Sequence, residues 1–187
     1  MFIAFSGVSS SGKNTVMNEL IKRRNNIKVL ESSSGTTREP RESDSQFNTY
    51  VYMTEEEFKR GVEEGKFFEY ELVHGQYYGT ILSQLEKAAS DQENYYIRDI
   101  DVKGVVNLKQ YFKSKSDFIS IFLDAPNDVL RQRLILRGDK IEDIEKRLSR
   151  GELERSYKNG YDLVIENIDL EKTVQTICQY IDQFKKA

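Results

Sequence analysis

The stretch Gly7-Val8-Ser9-Ser10-Ser11-Gly12-Lys13 is the strongest indication of the fold in this sequence. An apolar run, Phe2 to Phe5, precedes it, and apolar residues at helical spacing follow it from Val16 onward. This order predicts a strand, a glycine-bounded loop and a helix, whose N-terminal N–H groups and dipole bind phosphate. The two glycines permit a tight turn and a close phosphate approach, and Lys13 can reach β- and γ-phosphates. A serine-rich turn without a ligand is the alternative, which the flanking strand and helix disfavour.

The residue after the lysine departs from the nucleotide-binding pattern. That pattern has Ser or Thr there, because the hydroxyl helps to hold magnesium. Here Asn14 stands in that place and Thr15 follows it. Thr15 or a water molecule would then have to complete the metal shell.

Composition narrows the class of protein. The 187 residues, with a net charge of −3, suit one domain with inserted lobes and demand neither nucleic acid nor an anionic membrane as partner. Cys178 is the only cysteine, so no disulfide forms within the chain, and a cytoplasmic setting is favoured. No stretch approaches the ~20 apolar residues of a membrane span, and we expect no signal peptide. His74 is the only histidine, which excludes a histidine-based metal site and a Ser-His-Asp triad.

Strand and helix patterns alternate along the chain, which predicts an α/β fold. Residues 35–80 interrupt the main pattern and predict a small β-rich lobe inserted into the main sheet. In this lobe we expect strands over Phe47–Met53 and Phe67–Val73, a helix that a capping box opens at Thr54, and an aromatic turn over residues 75–79.

The loop from Ser34 to Arg41 combines hydroxyl groups with two arginines, Arg38 and Arg41. A guanidinium group donates two parallel hydrogen bonds, which suits a phosphate. We therefore predict an anion clamp, with a solvated basic loop as the alternative.

Glu69 lies among aromatic residues in Phe67-Phe68-Glu69-Tyr70. A carboxylate in such surroundings needs a partner, and a base with adjacent N–H donors, such as guanine, is a suitable one. An outward-facing Glu on an alternating strand is equally compatible with the pattern. The tyrosines of Gln76-Tyr77-Tyr78-Gly79-Thr80 could bond a phosphate or pack on a base, or they are ordinary turn aromatics.

The segment Arg98-Asp99-Ile100-Asp101 lies at the carboxyl end of a strand, where open α/β sheets place their ligands. Asp99 and Asp101 point to one side, because strand side chains alternate. They could hold magnesium through water or accept hydrogen bonds from a base. A helix N-cap is the alternative for one of them.

A basic set follows in the charged second half of the chain. Arg133 and Arg137 share a helix face because they are four residues apart, and Arg147 follows them. A bound polyphosphate would relieve their mutual repulsion, whereas salt bridges to nearby acidic residues are the alternative. For Arg150 and Arg155 we prefer salt bridges.

Taken together, these stretches resemble the guanylate kinases over nearly the whole chain. The motifs occur in the same order and with close spacing: Thr36-Thr37-Arg38-x-Pro40-Arg41, Tyr50, Glu69-Tyr70, Tyr77-Tyr78-Gly79 and Asp99-Ile100-Asp101. The resemblance implies an α/β fold with a P-loop NTPase-type parallel sheet flanked by helices, an inserted small β-rich GMP-binding lobe and a helical lid. Residues 1–187 would form a single domain, divided into a core of 1–34, 81–137 and 159–187, a GMP-binding lobe of 35–80 and a lid of 138–158.

The resemblance also implies Mg²⁺-dependent transfer of the ATP γ-phosphate to GMP, with roles for individual residues. Catalytic roles would fall to Lys13, Arg38, Asp99, Arg133, Arg137 and Arg147. ATP would be bound by Gly7, Ser9, Ser10, Ser11, Gly12, Lys13, Asn14, Thr15 and Asn167. GMP would be bound by Ser34, Arg38, Arg41, Tyr50, Glu69, Tyr78, Thr80 and Asp101. Thr15 and Asp99 would lie near the metal, Asp99 through water.

The chain departs from the family at a few positions. Val8, Ser10 and Asn14 stand where the family usually has Pro, Gly, and Ser or Gly, and the lid segment after Gly138 is slightly short. A non-catalytic guanylate-kinase-like binding module and a related kinase with another phosphorylated acceptor stay open as alternatives, and GMP is not separated from dGMP. We expect a monomer or homodimer whose partners are small molecules rather than nucleic acid or membrane.

Overall fold

The computed structural model describes residues 1–40, 47, 50–73, 75–112 and 118–184. The strands of this part of the chain are β1 (Phe2–Gly7), β2 (Ile27–Val29), β3 (Ser34–Thr36), β4 (Tyr50–Tyr52), β5 (Phe67–Val73), β6 (Gln76–Ile81), β7 (Tyr95–Asp99), β8 (Phe118–Asp124) and β9 (Leu163–Glu166). Its helices are α1 (Lys13–Arg23), α2 (Glu55–Glu63), α3 (Leu82–Ser90), α4 (Val102–Tyr111), α5 (Asn127–Arg137), α6 (Ile141–Ser156) and α7 (Leu170–Phe184).

The main sheet is parallel and has the strand order β2-β7-β1-β8-β9. Every residue of the central strand β1 is buried, because helices cover both faces of the sheet. Helices α1 and α7 pack on one face through a shared apolar cluster, and α3 and α4 pack on the other. The α/β fold with a parallel sheet flanked by helices is therefore confirmed.

Helices α5 and α6 form a third packed unit at the carboxyl end of the sheet. Their apolar residues Leu130, Leu134, Ile144 and Leu148 are buried together with Val8 of the loop after β1. The charged segment after Gly138 thus forms one amphipathic helix, α6, whose apolar side rests on the loop.

The inserted β-rich lobe is a second sheet with the order β4-β3-β6-β5. Strands β5 and β6 are antiparallel and so form a hairpin, while β3 pairs with β6 antiparallel and with β4 parallel. The capping box at Thr54 is confirmed, since its side chain accepts a hydrogen bond from the Glu57 N–H and the Glu57 carboxylate accepts one from the Thr54 N–H.

Two predicted details of this lobe are wrong. Among the described residues of the strand expected over Phe47–Met53, Tyr50–Tyr52 form β4, whereas Met53 lies outside it and Phe47 is buried in the main core. The aromatic turn expected over residues 75–79 is largely strand β6, which begins at Gln76. The reason is tertiary: the Tyr77 ring stacks on Phe58 of α2 with ring centroids 5.1 Å apart, which holds this segment in the sheet.

No helix in the described ranges is long and apolar enough to cross a membrane.

Candidate active site

The loop after β1 has the strand–loop–helix geometry that its sequence predicts. Gly7 has φ +137°, and a Cβ there would lie 1.9 Å from the Leu123 carbonyl oxygen. Gly12 has φ +91°, and a Cβ there would lie 2.6 Å from Nδ2 of Asn167. Both positions therefore require glycine, for backbone conformation and for space. The loop delivers the N-terminus of α1 to the carboxyl end of the sheet, as a phosphate cradle requires.

The departures from the nucleotide-binding pattern occupy different environments in this loop. Ser10 has φ +64°, the left-handed region that side chains with a Cβ rarely adopt. Val8 is buried under α6. Asn14 and the predicted metal neighbour Thr15 are exposed in the first turn of α1.

Lys13 folds back over its own loop. Its Nζ donates hydrogen bonds to the carbonyl oxygens of Gly7, at 3.0 Å, and Val8, at 3.4 Å. Asp99 faces the same lysine: burial raises the pKa of Asp99, while the charges of Lys13 and Arg98 pull it down. The predicted phosphate lysine and the predicted metal-side aspartate thus lie within electrostatic reach of each other.

Arg133 and Asn167 brace the phosphate loop from outside. The Nη1 of Arg133 donates to the carbonyl oxygens of Ser10 and Ser11, at 3.4 and 3.3 Å, and its Nη2 donates to the Asn167 carbonyl at 2.7 Å. The Asn167 Nδ2 also donates to the Ser11 carbonyl, at 2.7 Å. These contacts hold the backbone of the loop in shape, a role that the sequence motif does not reveal.

A cleft of about 430 Å³ opens over the phosphate loop, between the loop and α6. We call it the donor cleft. It is lined by Gly7, Ser9, Lys13, Asp143, Lys146, Arg147, Arg150 and Glu154. Arg147 reaches the loop, since its Nη1 donates to the Ser9 Oγ at 3.3 Å.

A larger cleft of about 770 Å³, here the acceptor cleft, opens between the main sheet and the inserted lobe. Many of the predicted GMP-binding residues meet there, together with Asp99. They are Ser34, Tyr50, Glu69, Tyr78, Thr80 and Asp101. Arg38 lies behind this wall, buried, with its guanidinium 4.9 Å from the centre of the Tyr50 ring. Arg41 lies outside the described residues.

The register of the small sheet explains why these residues converge. Ser34 on β3 pairs with Tyr50 on β4 and with Thr80 on β6, and Thr80 in turn pairs with Glu69 on β5. Cross-strand partners share a face, so the four side chains form one row across the sheet. A register shift between Phe67 and Glu69 marks a β-bulge, a device that re-aims side chains near sites.

Glu69 keeps polar partners in its half-buried position. The Thr80 hydroxyl donates to its Oε1 at 3.4 Å, and the Asn107 amide donates to its Oε2. Burial raises the pKa of Glu69, and the nearby Asp101 acts in the same direction. The alternative of an outward-facing Glu69 is therefore wrong, because the side chain is half-buried and lines the acceptor cleft.

Asp101 serves as the N-cap of α4, which was the alternative role for this pair. Its Oδ1 accepts hydrogen bonds from the backbone N–H groups of Lys103 and Gly104, both at 2.9 Å. The cap fixes the carboxylate at the edge of the acceptor cleft, so capping and ligand binding are compatible.

Arg98 and Asn107 line the acceptor cleft but are not among the residues predicted from the sequence to bind a ligand. Arg98 is 6% exposed, and its guanidinium donates to the hydroxyl groups of Ser33 and Ser34, the latter at 2.7 Å. Burial lowers the pKa of Arg98 to about 10. The available signal was an arginine within an otherwise apolar strand. Asn107 belongs to no motif, and only its contact with Glu69 identifies it.

The two clefts meet at one junction. Gly7, Lys13, Arg150 and Glu154 line both of them. Glu154 lies 3.3 Å from the Arg150 Nε, and its Oε2 is buried without a hydrogen-bond partner among the described residues. Burial raises the pKa of Glu154, against the opposing attraction of Lys13 and Arg150. The preferred salt bridge of Arg150 is confirmed, but this arginine also faces both clefts.

Each of the arginines Arg155, Arg137 and Arg147 forms an ion pair with an aspartate. Arg155 pairs with Asp124 at 3.0 Å, which confirms its preferred salt-bridge role. Arg137 does not line either cleft in the described part of the chain; it pairs with Asp139, which also contacts Arg147 at 3.1 Å. Among the described residues, no cluster of three or more His, Cys, Asp or Glu side chains forms a ready metal site.

Comparisons with known proteins agree with this geometry. The family model described as guanylate kinase matches residues 2–184. A guanylate kinase of Bacteroides thetaiotaomicron is 37% identical over 185 residues, which is 97% of this chain and 88% of that protein. A guanylate kinase of Helicobacter pylori is 39% identical over 177 residues, covering 94% of this chain and 83% of that protein.

Solved structures show the same likeness. The crystal structure of guanylate kinase from Anaplasma phagocytophilum superposes with a TM-score of 0.72 at 26% identity, over 100% of this chain and 87% of that one. A shikimate kinase from Bacteroides thetaiotaomicron, at 15% identity and a TM-score of 0.54, shares the fold alone.

Proposed function

The chain belongs to the guanylate kinase family and is a nucleoside monophosphate kinase, and we propose that it transfers the γ-phosphoryl group of Mg²⁺-bound ATP to GMP. One observation carries this proposal: the donor cleft over the phosphate loop and the acceptor cleft at the lobe join at Lys13. Two anionic substrates bound in these clefts would meet where Lys13 and Arg150 both supply positive charge, as phosphoryl transfer requires.

The donor half binds ATP through the phosphate loop. The backbone of Ser9 to Thr15 and the N-terminus of α1 hold the phosphates, and Lys13 turns from its own loop carbonyls toward them. Arg133 and Asn167 keep the loop in its binding shape.

Two side chains near the phosphate loop, Asp99 in the acceptor cleft and Thr15 in the first turn of α1, offer the oxygen ligands that suit a magnesium ion. Asp99 is a half-buried carboxylate whose pKa is raised by desolvation, so a cation beside it, directly or through water, would stabilise its charged form. Carboxylate, hydroxyl and water oxygens are the ligands that Mg²⁺ prefers, which gives Asp99 and the exposed Thr15 their proposed roles. When bound, the ion neutralises phosphate charge and orients the phosphate groups.

The acceptor half selects guanine through the row on the small sheet. The Glu69 carboxylate would accept the adjacent N–H groups of the base, with Ser34, Thr80 and Asp101 around it. Arg98 fixes the Ser34 hydroxyl in place. Tyr50 and Tyr78, whose ring centroids lie 6.1 Å apart, would hold the GMP phosphate together with Arg38 and Arg41.

The transfer step depends on charge stabilisation rather than covalent chemistry. Arg147 already reaches from α6 to the phosphate loop. Arg137 is linked to Arg147 by Asp139, which forms ion pairs with both arginines. Such arginines are worth about 10³–10⁵-fold in rate in phosphoryl-transfer enzymes. Movement of the lid, residues 138–158, over the lobe of residues 35–80 and the core would exclude water from the joined clefts. A monomeric or homodimeric state and a cytoplasmic location stay predictions.

The proposal is tested by ADP release from ATP with a panel of acceptors. We expect rapid release with GMP, or with GMP and dGMP, and background release with AMP, CMP, UMP and shikimate. Lys13→Ala, as a control against a contaminating kinase, should abolish the release with GMP. A chain that binds GMP but releases no ADP is instead a binding module, and preference for another acceptor contradicts the proposed substrate.

A further inference from the structure

Asp139 lies in the short turn between α5 and α6 and contacts an arginine from each helix. The Nε of Arg137 donates to its Oδ1 at 2.8 Å, and the Nη2 of Arg137 donates to its Oδ2. The Nε of Arg147 lies 3.1 Å from the same Oδ2. The Asp139 side chain is only 14% exposed. One carboxylate therefore gathers both arginines that the transfer step is proposed to use.

The backbone of the turn fixes Asp139 in this place. Gly138 ends α5 in the left-handed conformation, with φ +87°. The N–H groups of Gly138 and Asp139 then close the turn on the carbonyls of Ile135, at 2.9 Å, and Leu134, at 3.2 Å. Such a C-cap reverses the chain sharply. Because α6 begins at Ile141, the reversal brings Arg147 back beside Arg137.

The contacts of Asp139 leave donors available on both guanidinium groups. Arg137 donates to Asp139 through its Nε and Nη2, while Arg147 forms an ion pair with Asp139 through its Nε and donates to the Ser9 hydroxyl through its Nη1. An arginine has five N–H donors, so the bonds to Asp139 occupy only part of each group. The carboxylate can keep both arginines while their remaining donors face a phosphoryl group.

We propose that Asp139 is a positioning residue for phosphoryl transfer, which holds Arg137 and Arg147 together so that α6 carries both to the transferred group. Hydrogen bonds from Arg137 and the charge of Arg147 keep the pKa of Asp139 below its ordinary value, so the carboxylate is ionised at neutral pH. Without this carboxylate, the like charges of Arg137 and Arg147 repel each other. The inference rests on the proposed roles of the two arginines.

The chain offers a matched control for this idea. Glu145 on α6 pairs with Arg131 on α5, with Nη2 to Oε2 at 3.1 Å, and so bridges the same two helices on their exposed side. A merely structural bridge would have the same effect when either carboxylate is removed. Of these two carboxylates, Asp139 contacts Arg137 and Arg147, whereas the partner of Glu145 is Arg131.

The test compares kcat, KM for ATP and GMP, and thermal unfolding for Asp139→Ala, Asp139→Asn and Glu145→Ala. We expect both Asp139 variants to lose about 10²-fold in kcat, the size of effect that misplaced catalytic groups produce, with KM for GMP little changed. Glu145→Ala should keep kcat close to that of the parent. If Asp139→Ala fails to fold, the near-isosteric Asp139→Asn decides the result.

A double-mutant cycle separates positioning from stability. Because Asp139 acts through the arginines, Asp139→Asn should cost almost nothing further in an Arg137→Ala, Arg147→Ala background. Full kcat in Asp139→Asn, an increase in kcat, or an equal loss in Glu145→Ala would overturn the inference while leaving the proposed function intact. Full kcat in the arginine double variant would overturn the proposed arginine roles, and the inference with them.

Discussion

The phosphate loop and the row of four side chains on the small sheet, here called the guanine row, are the two halves of the proposed site, but the chain builds them in opposite ways. The loop consists of consecutive residues from Gly7 to Lys13, and the groups proposed to bind phosphate there are mainly backbone N–H groups. The row takes one side chain from each of four strands, Tyr50, Ser34, Thr80 and Glu69, through the register of a sheet. A backbone site therefore depends on conformation, whereas a side-chain site depends on the identity of single residues.

Loss of the carboxylate at Glu69 should give the largest effect. Glu69→Gln keeps one acceptor oxygen but replaces the other with an NH₂ group that cannot accept a guanine N–H, and sites built on hydrogen bonds reject mismatched ligands by about 10⁴-fold. We therefore expect the ratio of kcat/KM for GMP over AMP to fall by several orders of magnitude.

The matched control is Glu71→Gln, two residues farther along the same strand and on the edge of the same cleft. If charge in the cleft mattered in general, both variants would lose selectivity. If Glu69→Gln discriminates between GMP and AMP as well as the parent does, the guanine row does not recognise the base.

The phosphate loop, in contrast, should be most sensitive to substitutions that disturb its backbone conformation. Gly7→Ala places a Cβ 1.9 Å from the Leu123 carbonyl oxygen at a φ of +137°, so strain and overlap add. We expect a loss of about 3–5 kcal/mol in the free energy of unfolding, measured with urea.

Gly160→Ala serves as the control for this substitution, because a Cβ there meets no atom within 4 Å. It should change the free energy of unfolding by less than about 1 kcal/mol. Equal stability of the two variants would contradict the described backbone of the loop.

The pH dependence of GMP binding should also distinguish the side-chain site at Glu69 from the backbone site of the phosphate loop. Burial raises the pKa of Glu69, and only the ionised carboxylate accepts both guanine N–H groups. As the pH falls through that raised pKa, the KM for GMP should rise, by about tenfold per pH unit once the pH is below it.

The phosphate of GMP also titrates, so the KM profile is compared with that of Glu69→Gln, which shares this titration. The difference between the two profiles reports Glu69 alone. Parallel profiles would show that Glu69 does not read the base. The KM for ATP should show no such difference, because the donor half binds mainly through backbone.

The smallest expected effect lies again in the loop. Ser10 adopts φ +64°, which costs a residue with a Cβ about 1–2 kcal/mol, while glycine loses about 0.5–1 kcal/mol through the entropy of its unfolded state. Ser10→Gly should therefore raise the free energy of unfolding by about 0.5–1 kcal/mol.

Ser9→Gly is the comparison, since Ser9 is not among the positive-φ residues and gains nothing from glycine. It should lower the unfolding midpoint, whereas Ser10→Gly raises it. A lower midpoint in Ser10→Gly would place the strain of this loop elsewhere.

This contrast also explains what the sequence could predict. The main sheet and the phosphate loop follow from local pattern, because Gly7, Gly12 and the apolar strand before them are contiguous. The chemistry of single residues makes Glu69, Tyr78 and Asp101 candidates, but their grouping with Ser34 and Thr80 follows only from the family resemblance, since nothing local brings these residues together. The β-bulge before Glu69, the buried Arg98 and the contact of Asn107 depend on tertiary packing, which periodicity does not encode. Tyr77 and Tyr78 were expected in a turn for the same reason.

The claim that the two clefts form one site can be tested by the binding of a single molecule that spans both of them. Adenosine and guanosine joined by a chain of five phosphates can occupy the phosphate loop and the guanine row at once. We expect calorimetry to show one molecule bound per chain, at least about 10²-fold more tightly than ATP or GMP, since the second contact becomes intramolecular. Lys13→Ala and Glu69→Gln should each weaken this binding. Binding no tighter than that of ATP, and unchanged by Glu69→Gln, would contradict the claim that the two clefts form one site.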